Sequence, residues 1–488
     1  MEHLTRPSLA AIALMMISSS SRAQPGSCQQ HQDRGFQRTF FNQLGRFDNR
    51  ITTAVAADLD GDGIKEIIFV RDEELFALEP DGADVPGFPV NLPALANVER
   101  TFLAGKDPLA IGDFAHDGTQ QIVLFVTVVN QFLVEQTNIL FVLNYDGTVW
   151  PGWPSDGVEL TRGVATAPTV FDLDHDGVPE IILAGGFFPQ NWLYVLRADG
   201  SSYNSNFPRI GNGYPINSTI AVADINQDGV EDLVFVGDGS AVHALDSDTG
   251  VDLAGWPVQI GYGFGSFRTS VAIADLDGDG ALEVIATADQ DQAFVFRSDG
   301  SLYPGWPIDA PHILTSPSVA SLTASDELQI AFGSERQGES TAQVNLVQRD
   351  GKPLPGWPQE VGASAFNNTN TILADLDGDG ERDLIYLSYN GAWYVWHSNG
   401  DLFPGFPTFF IEPNMATNVA SSPVVADLWG DGTRQVLLTL FFNGSLSDPP
   451  ETYFAKLIVV DFDSCSPELP GDWSIFHRDN QHTGRVLP

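Results

Sequence analysis

The heptapeptide "ADLDGDG" occurs three times in this chain, beginning at residues 57, 274 and 374. Its three carboxylates, spaced two residues apart, repel one another unless a cation lies between them, and its last glycine permits a sharp turn. Related loops begin at Asp113, Asp172, Asp224 and Asp427, and a shorter, degenerate one begins at Ser321. An acidic loop that returns about every fifty residues predicts a repeat architecture.

A second landmark recurs downstream of each acidic loop. In five units it is an Asp-Gly or Asn-Gly turn followed by a Pro-Gly-aromatic-Pro group, as at Asp299 and residues 304–307, and the other units carry variants such as "AGWP", "NFP" and "PGDW". Short runs of β-branched and aromatic residues separate the landmarks, and no helical period is sustained. Four strands in each unit of this length indicate propeller blades. We therefore predict an all-β chain that forms a single β-propeller with eight blades of four antiparallel strands, and a seven-bladed ring is the alternative.

The flanking segments suggest the limits of this propeller. Residues 9–17 are apolar and follow Arg6, and small residues end the stretch at Ala23, so residues 1–23 have the pattern of a secretory signal peptide. We assign residues 24–44 to an N-terminal segment and residues 45–485 to the propeller, with residues 472–485 as its closing segment. No stretch approaches about 18 consecutive apolar residues, so we expect no membrane insertion.

The chain has two cysteines, Cys28 and Cys465, close to the two ends of the predicted propeller. A propeller must bring its first and last blades together, and cysteines can pair in an oxidising compartment. We therefore predict a disulfide bond between them that fastens the ring.

The acidic loops have the residue pattern of a cage for a hard cation. In the loop that begins at Asp275, carboxylates stand at positions one, three, five and nine, glycine stands at position six, and a backbone carbonyl is available at position seven. Calcium accepts many oxygen ligands in a flexible loop, whereas transition metals favour nitrogen or sulfur. His175 lies at a position of its loop that carries no ligand.

Five loops are complete by this test, and we predict about five calcium sites. Their predicted ligands are Asp58, Asp60, Asp62 and Glu66; Asp172, Asp174, Asp176 and Glu180; Asp224, Asn226, Asp228 and Asp232; Asp275, Asp277, Asp279 and Glu283; and Asp375, Asp377, Asp379 and Asp383.

The remaining three loops depart from the pattern. The loop that begins at Asp113 has Ala115 and Gln121 at positions three and nine. The loop that begins at Asp427 has a tryptophan and a glutamine at those positions, and we expect both loops to bind calcium weakly or not at all. The loop at Ser321 lacks the first aspartate, and we expect no site there.

These units resemble the FG-GAP/VCBS repeats of secreted bacterial proteins and of the integrin α-subunit propeller. The resemblance rests on "ADLDGDG" followed by a strand such as "ALEVIATA", and it covers roughly residues 45–485. It implies a β-propeller that holds calcium between the first two strands of a blade. The paired Phe-Gly and Gly-Ala-Pro elements are not regular in this chain, so integrin-like ligand binding is not implied. The tail "DWSIFHRDNQHTG" is similar to the closing segment of many such bacterial proteins.

No catalytic motif accompanies the repeats. The side chains of His477, Arg478, Asp479 and His482 cluster in sequence, but no nucleophile motif or phosphate loop is present, and we expect this group to cap the closing segment. The recurring tryptophans of the Pro-Gly-Trp-Pro groups are expected to pack between repeats. Trp192, Trp393 and Trp396 lie outside that register and are the better candidates for a surface contact, although burial is the simpler interpretation.

The charge balance limits the possible partners. Lysine and arginine number 23 against 64 acidic residues, which gives a formal charge of −41 and argues against nucleic acid. We expect a secreted or extracellular protein, with the periplasm or cell surface also possible. The predicted function is a non-catalytic binding or adhesion module for a glycan or protein ligand. A carbohydrate-active enzyme such as a polysaccharide lyase is the alternative.

Overall fold

The computed structural model describes most of the repeat region and parts of both ends. The described residues are 34–41, 51–98, 101–102, 107–129, 136–160, 166–187, 189–212, 216–237, 240–261, 269–288, 291–310, 313, 315–322, 327–335, 341–362, 369–388, 390–410, 416–418, 421–443, 454–465, 472, 474, 479 and 482–486. The predicted signal peptide, Cys28, His477 and Arg478 lie outside them.

The strands form eight antiparallel sheets, which we number as blades 1 to 8 along the chain. The inner strands are Val55–Ala57, Leu109–Gly112, Thr169–Phe171, Ala221–Ala223, Ala272–Ala274, Ser318–Ala320, Ile372–Ala374 and Val424–Ala426. The second strands are Glu66–Arg71, Gln121–Val129, Glu180–Phe187, Asp232–Gly237, Glu283–Ala288, Gln329–Glu335, Asp383–Leu387 and Thr433–Asn443. The third strands are Glu74–Leu78, Gln136–Leu143, Gln190–Leu196, Ala241–Asp246, Gln292–Phe296, Thr341–Gln348, Ala392–Trp396 and Phe454–Cys465. The outer strands are Val90–Asn91, Val158–Leu160, Arg209–Asn212, Val258–Gln259, Ile308–Asp309, Gln359–Gly362, Thr408–Phe409 and, in blade 8, Phe36–Phe41.

The blades are arranged in a ring around a central axis. Inner strands of successive blades contact one another, and the inner strand of blade 8, Val424–Ala426, contacts that of blade 1, Val55–Ala57. The predicted eight-bladed propeller is therefore confirmed, and the seven-bladed alternative is wrong.

The N-terminal part of the chain closes the ring. Strand Phe36–Phe41 pairs antiparallel with the third strand of blade 8, in the register Phe36 opposite Val459 and Phe41 opposite Phe454. Of the four strands that correspond to those of the other blades, blade 8 therefore takes three from the C-terminal part of the chain and one from the N-terminal part. The propeller begins before residue 45, because residues 36–41 supply the outer strand that the last repeat lacks.

The inner and second strands are largely apolar because each blade is covered on both faces by its neighbours. In blade 1 the second strand buries Ile67, Ile68, Phe69 and Val70 completely. A sheet with one solvated face would alternate apolar and polar residues, whereas a sheet packed on both faces has a continuous apolar run. The hydrophobic core therefore lies between the blades.

Two blades carry an additional short strand. Thr101–Phe102 pairs with the second strand of blade 2, and Ala416–Asn418 pairs with that of blade 8. One helical turn, Leu92–Leu95, follows blade 1, where the Asn91 side chain accepts a hydrogen bond from the Ala94 N–H. Within the described residues, no helix is long and apolar enough to cross a membrane.

The Pro-Gly-Trp-Pro groups join neighbouring blades. The indole N–H of Trp306 donates to the carbonyl of Arg349 in the next blade at 2.7 Å, and Trp256 and Trp357 make the corresponding bond. Trp153 is buried as well but donates within its own blade, to Leu140. The expectation that these tryptophans pack between repeats is confirmed. The three tryptophans outside the register are also buried and are not surface contacts: Trp192, Trp393 and Trp396.

Candidate metal centres and the axial segment

Each acidic loop connects the inner and second strands of a blade and folds around its first aspartate. In blade 5, Asp275 accepts hydrogen bonds from the backbone N–H groups of Gly278, Asp279 and Gly280 at 2.7 to 3.1 Å. Asp279 then accepts from the Ala281 N–H at 2.8 Å. The chain is thereby wound into a tight loop around the carboxylates.

The winding requires backbone conformations that are left-handed at two positions of the loop. Gly278 and Gly280 have φ of +74° and +88°. At the first of these positions blade 3 has His175, with φ of +55°. Its backbone is therefore part of the turn.

The loops bring carboxylate oxygens together as predicted in four of the five complete loops. Ligand atoms within 4.8 Å of one another come from three groups in each of blades 1, 3, 5 and 7. They are Asp58, Asp60 and Asp62; Asp172, Asp174 and Glu180; Asp275, Asp277 and Asp279; and Asp375, Asp377 and Asp383. In blade 4, Asn226 Nδ2 instead donates to Asp228 Oδ2 at 2.8 Å.

The ninth residue of the loop has a second role that sequence reasoning missed. In blade 5, Glu283 Oε2 accepts a hydrogen bond from the backbone N–H of Leu276, the second residue of the loop, at 2.9 Å. The same bond is present in all eight blades. The acceptors are Glu66, Gln121, Glu180, Asp232, Glu283, Gln329, Asp383 and Gln435.

The glutamines at position nine differ from the acids in the side-chain atom that does not accept the loop hydrogen bond: it is an amide nitrogen instead of a second carboxylate oxygen. The amide Nε2 of Gln435 donates to Thr433 Oγ1 and to Asp461 Oδ1, at 2.9 and 2.8 Å. A carboxylate has no proton to donate there, and in blades 3 and 7 the ninth-position acid, Glu180 or Asp383, clusters with two aspartates of its own loop. The signal in the sequence was available: glutamine at position nine coincides with the loss of an acid earlier in the same loop.

The ninth-position carboxylates lie in an unfavourable environment when no cation is bound. Burial, and then the nearby loop aspartates, raises the pKa of each of these carboxyl groups to about 7 from the ordinary range of a carboxylic acid. The five groups are Glu66, Glu180, Asp232, Glu283 and Asp383. A cation between the carboxylates would remove this cost by favouring the ionised form.

Calcium fits the donor set. The clustered ligands are all carboxylate oxygens, which hard cations prefer. In blade 4, Asp232 is fully buried, and its Oδ1 has no hydrogen bond of ordinary geometry within the described residues. An oxygen left in that state is costly unless a cation binds it. Blade 4 therefore fits a cation even though its amide at position three replaces a carboxylate.

Blade 7 has a neighbouring imidazole. The Nδ1 atom of His397 lies 3.2 Å from Asp383 Oδ1, and this contact raises the pKa of His397 above its ordinary value. His397 follows the third strand of its blade, and its ring stacks on Phe403 at 4.2 Å between centroids. The contact joins residues 14 positions apart, so the loop motif alone gave no sign of it.

The loops also contact one another around the ring. The N–H of Lys65, at position eight in blade 1, donates to the carbonyl of Leu428, at position two in blade 8. Gln120 donates in the same way to Leu59, and Arg382 to Leu322. In blades 1, 6 and 8 the second residue of the loop is therefore held by its own ninth residue and by the loop of the following blade.

The C-terminal segment lies along the central axis rather than at the edge of the last blade. We use the name axial segment for its described residues, Asp472, Ser474, Asp479 and 482–486. Backbone N–H groups of three inner strands donate to carbonyls of this segment: Val425 to Ser474, Val222 to Thr483 and Ile273 to Gly484, at 2.9 to 3.0 Å. Blades 8, 4 and 5 thus hold the same segment from different sides of the channel.

A buried ion cluster fixes the start of the axial segment. Asp472 Oδ1 accepts from Arg382 Nε at 2.7 Å, and its Oδ2 accepts from Arg434 Nη2 at 3.0 Å. The side chains of Asp472 and Arg434 are 1% and 0% exposed. Both arginines stand at position eight of their loops. In these two loops position eight therefore faces the axis.

The other end of the axial segment is held in the same manner. Arg485 Nη1 lies 3.4 Å from Glu231 Oε2, and Glu231 is position eight of the loop in blade 4. Between the two ends, His482 is buried, and its Nδ1 lies 2.9 Å from the Pro168 carbonyl. Its burial lowers its pKa, so this histidine packs the channel and supplies no solvent-facing base.

Comparison with known proteins agrees with this architecture. Residues 172–235, 224–286 and 375–438 each match the FG-GAP-like repeat family. The biofilm matrix protein Bap1 of V. cholerae is similar in structure, with a TM-score of 0.57 at 12% identity over 93% of this chain and 96% of that chain. A quinohemoprotein alcohol dehydrogenase from Comamonas testosteroni has a TM-score of 0.50 at 11% identity over 94% and 85%. These identities show the fold alone, and no curated protein matches the chain in sequence.

Proposed function

The chain is an FG-GAP-repeat β-propeller, and from that premise we propose that it is a secreted, calcium-stabilised module that binds a glycan or an extracellular protein without catalysing a reaction. Calcium has a structural role in this proposal. The five acidic loops hold the cations and thereby fasten the inner and second strands of blades 1, 3, 4, 5 and 7. The oxygen-only clusters and the buried ninth-position acids support calcium as the cation.

We assign the ligand surface to the part of the propeller where single blades differ from the common plan. The acidic loops repeat one plan and share one face of the propeller, and the axial segment is bound to the inner strands of blades 4, 5 and 8. On the opposite face, the hairpin formed by the second and third strands is short in blade 1, whose strands end at Arg71 and begin again at Glu74. In blades 2 and 8 the second strand is 9 and 11 residues long and carries an extra strand.

This difference between blades carries the proposal. A feature that every repeat keeps serves the fold, whereas a feature that single blades acquire at a loop face is where binding specificity is usually placed. Blades 2 and 8 flank blade 1 in the ring, so their long second strands and their extra strands lie in the same sector. We assign ligand binding to this sector.

The distribution of basic side chains favours binding over polysaccharide cleavage. A lyase needs arginine or lysine to neutralise the carboxylates of its substrate. Many basic groups in the described part of the chain are already paired with acids of the protein: Arg34, Arg38, Arg71, Arg197, Arg209, Lys352, Arg382, Arg434 and Arg485. Their charge is therefore largely neutralised within the molecule.

The test uses the mature protein in calcium on a panel of immobilised acidic and neutral polysaccharides and extracellular matrix proteins, with release of soluble products measured in parallel. We expect retention on at least one ligand without product release. A variant with residues 129–136 replaced by Asn-Gly shortens the hairpin of blade 2 and should lose retention. The control variant Glu66→Gln, on the other face, should keep it. Product release would establish the enzyme alternative, and unchanged retention of the shortened variant would refute the assigned sector.

A further inference from the structure

The axial segment and the acidic loops are connected through adjacent residues of the chain. The three loop residues that bind the segment, Arg382, Arg434 and Glu231, all stand at position eight. In blades 7 and 4 the next residue is a ninth-position acid of a complete loop, Asp383 or Asp232. A group that fastens the segment is therefore covalently joined to a predicted calcium ligand at both ends of the segment.

We propose that calcium in blades 4 and 7 locks the axial segment in the channel, and that loss of calcium from these two loops releases it. This inference rests on the proposed calcium binding. It adds a switch to the structural role, because release would open a channel lined by the inner strands. It also predicts which two of the five sites control the channel.

In blade 7 the lock has three parts. Arg382 donates from its backbone to Leu322, from Nη1 to the Ser321 carbonyl and from Nε to Asp472. The Oδ2 atom of Asp383 meanwhile accepts from the Leu376 N–H at 2.9 Å, which fixes the loop on which Arg382 stands. Without a cation, Asp383 is a buried carboxylate beside Asp375 and Asp377, and their repulsion opposes the same loop conformation.

In blade 4 the same arrangement acts on the other end of the segment. Asp232 Oδ2 accepts from the Ile225 N–H at 2.9 Å, and the preceding Glu231 faces Arg485. The carbonyls of Thr483 and Gly484, the two residues before Arg485, accept from Val222 in blade 4 and Ile273 in blade 5. A displaced loop in blade 4 would therefore remove an ion pair within two residues of both backbone hydrogen bonds.

Release of the axial segment can be followed both on the inner strands and on the segment itself, because backbone hydrogen bonds between them protect amides on each side. Hydrogen exchange of the full-length mature protein is followed at Val222, Ile273 and Val486 in calcium and in chelator, with calcium binding measured separately by calorimetry. We expect chelation to speed exchange at these amides by about tenfold or more, while third-strand amides of the same blades stay protected. Retained protection in the third strands shows that the propeller remains folded.

Matched variants separate the two controlling sites from the rest. Asp383→Asn keeps an oxygen for the Leu376 bond but removes the charge that calcium needs, and it should speed axial exchange in the presence of calcium. Glu66→Gln makes the corresponding change in blade 1, outside the loops that hold the segment, and should leave axial exchange unchanged. By linkage, Asp472→Asn, which removes the charge that Arg382 binds, should weaken calcium binding in blade 7 and leave the sites of blades 1, 3 and 5 unaltered.

The results distinguish a failure of the calcium lock from a failure of the proposed function on which it rests. Calcium binding with no change in axial exchange would overturn the lock and leave the proposed function standing. Equal effects of Asp383→Asn and Glu66→Gln would also overturn it, because the coupling would then be a general loss of stability. If calorimetry detects no calcium binding, both the lock and the calcium role in the proposed function fail.

Discussion

The side-chain Oε1 of Gln435 accepts a hydrogen bond from the backbone N–H of Leu428 across 2.8 Å. An acid or a glutamine makes this bond at the ninth position of every loop, so an uncharged amide is sufficient for the local fold. Five blades nevertheless have a carboxylate there, in a buried site that opposes its ionisation. The turn itself therefore does not require the charge at this position, which supports the proposed cation.

The first prediction separates these two roles in blade 5. Glu283→Gln keeps an acceptor for the Leu276 N–H and removes the negative charge, so the loop should fold and lose its cation. Calorimetry should find one calcium fewer per chain, and the midpoint of thermal unfolding in chelator should be equal or higher. Glu283→Ala, which removes the acceptor as well, should lower that midpoint. Unchanged calcium stoichiometry in Glu283→Gln would contradict the assigned ligand.

The second prediction concerns pH. Without calcium the pKa of Glu283 is about 7 in the folded protein against 4.5 for an ordinary glutamic acid, so the folded state holds the proton more tightly than the unfolded state does. This contribution to stability is complete below pH 4.5 and is lost as the pH rises through 7. Thermal unfolding in chelator should therefore show a falling midpoint between pH 5 and 8, approximate limits set by these pKa values.

The variant Glu283→Gln is the control for the effect of pH on the rest of the acidic chain. It should reduce the fall of the midpoint, and the difference between the two proteins isolates the contribution of this carboxyl group. Calcium affinity should change in the opposite direction and weaken as the pH falls below 7, because protons and calcium compete for the same oxygens. A midpoint in chelator that rises from pH 5 to 8 by the same amount in both proteins would refute the assigned cause.

The third prediction concerns the contact between blades 5 and 6. Gly305 has φ of +97°, and a Cβ atom there would lie 2.3 Å from the carbonyl oxygen of Asp350 in the next blade. Gly305→Ala should lower the free energy of unfolding by about 2–4 kcal/mol, because backbone must move to relieve the overlap. Gly250→Ala is the control: its φ is +67°, but its Cβ would meet nothing closer than 3.5 Å.

The control should cost about 1 kcal/mol, the penalty of a left-handed conformation alone. Urea unfolding measures both variants in calcium. Equal losses would mean that the close approach of the two blades does not contribute to stability.

The fourth prediction concerns ring closure. Phe40, in the N-terminal strand of blade 8, lies 5.5 Å from Phe69 and 5.2 Å from Phe76 of blade 1 between ring centroids. Phe40→Ala should destabilise the protein by about 3–5 kcal/mol, as expected for a buried aromatic residue. Phe409→Ala, in the outer strand of blade 7, removes a ring that is 47% exposed and should change stability by less than about 0.5 kcal/mol. Comparable losses in urea unfolding would contradict a special role of the N-terminal strand.

The repeats made most of the fold predictable from the sequence. The recurring acidic loop and the turn signals gave the number of blades and the position of each loop, because both features are local in the chain. The carboxylate clusters around Asp58, Asp172, Asp275 and Asp375 followed from the same spacing. Blade 4 was harder to judge, because Asn226 turns toward Asp228 and its contribution depends on the orientation of an amide.

The features that were missed join distant parts of the chain. Strand Phe36–Phe41 pairs with residues more than 400 positions away, and its short sequence contains no acidic loop that would mark it as part of a blade. The axial segment was expected to close the last blade, but Asp472 and Arg485 find their partners on different blades. The predicted bond between Cys28 and Cys465 stays a prediction, because Cys28 lies outside the described residues.

The central claim is that the acidic loops hold calcium and that calcium stabilises the blades. Its most direct test is the metal content of the purified mature protein after dialysis against calcium, measured by elemental analysis together with the unfolding midpoint before and after chelation. The account predicts about five calcium ions per chain and a clear fall of the midpoint when they are removed. A chain that retains no calcium, or whose midpoint is unchanged by chelation, would contradict it.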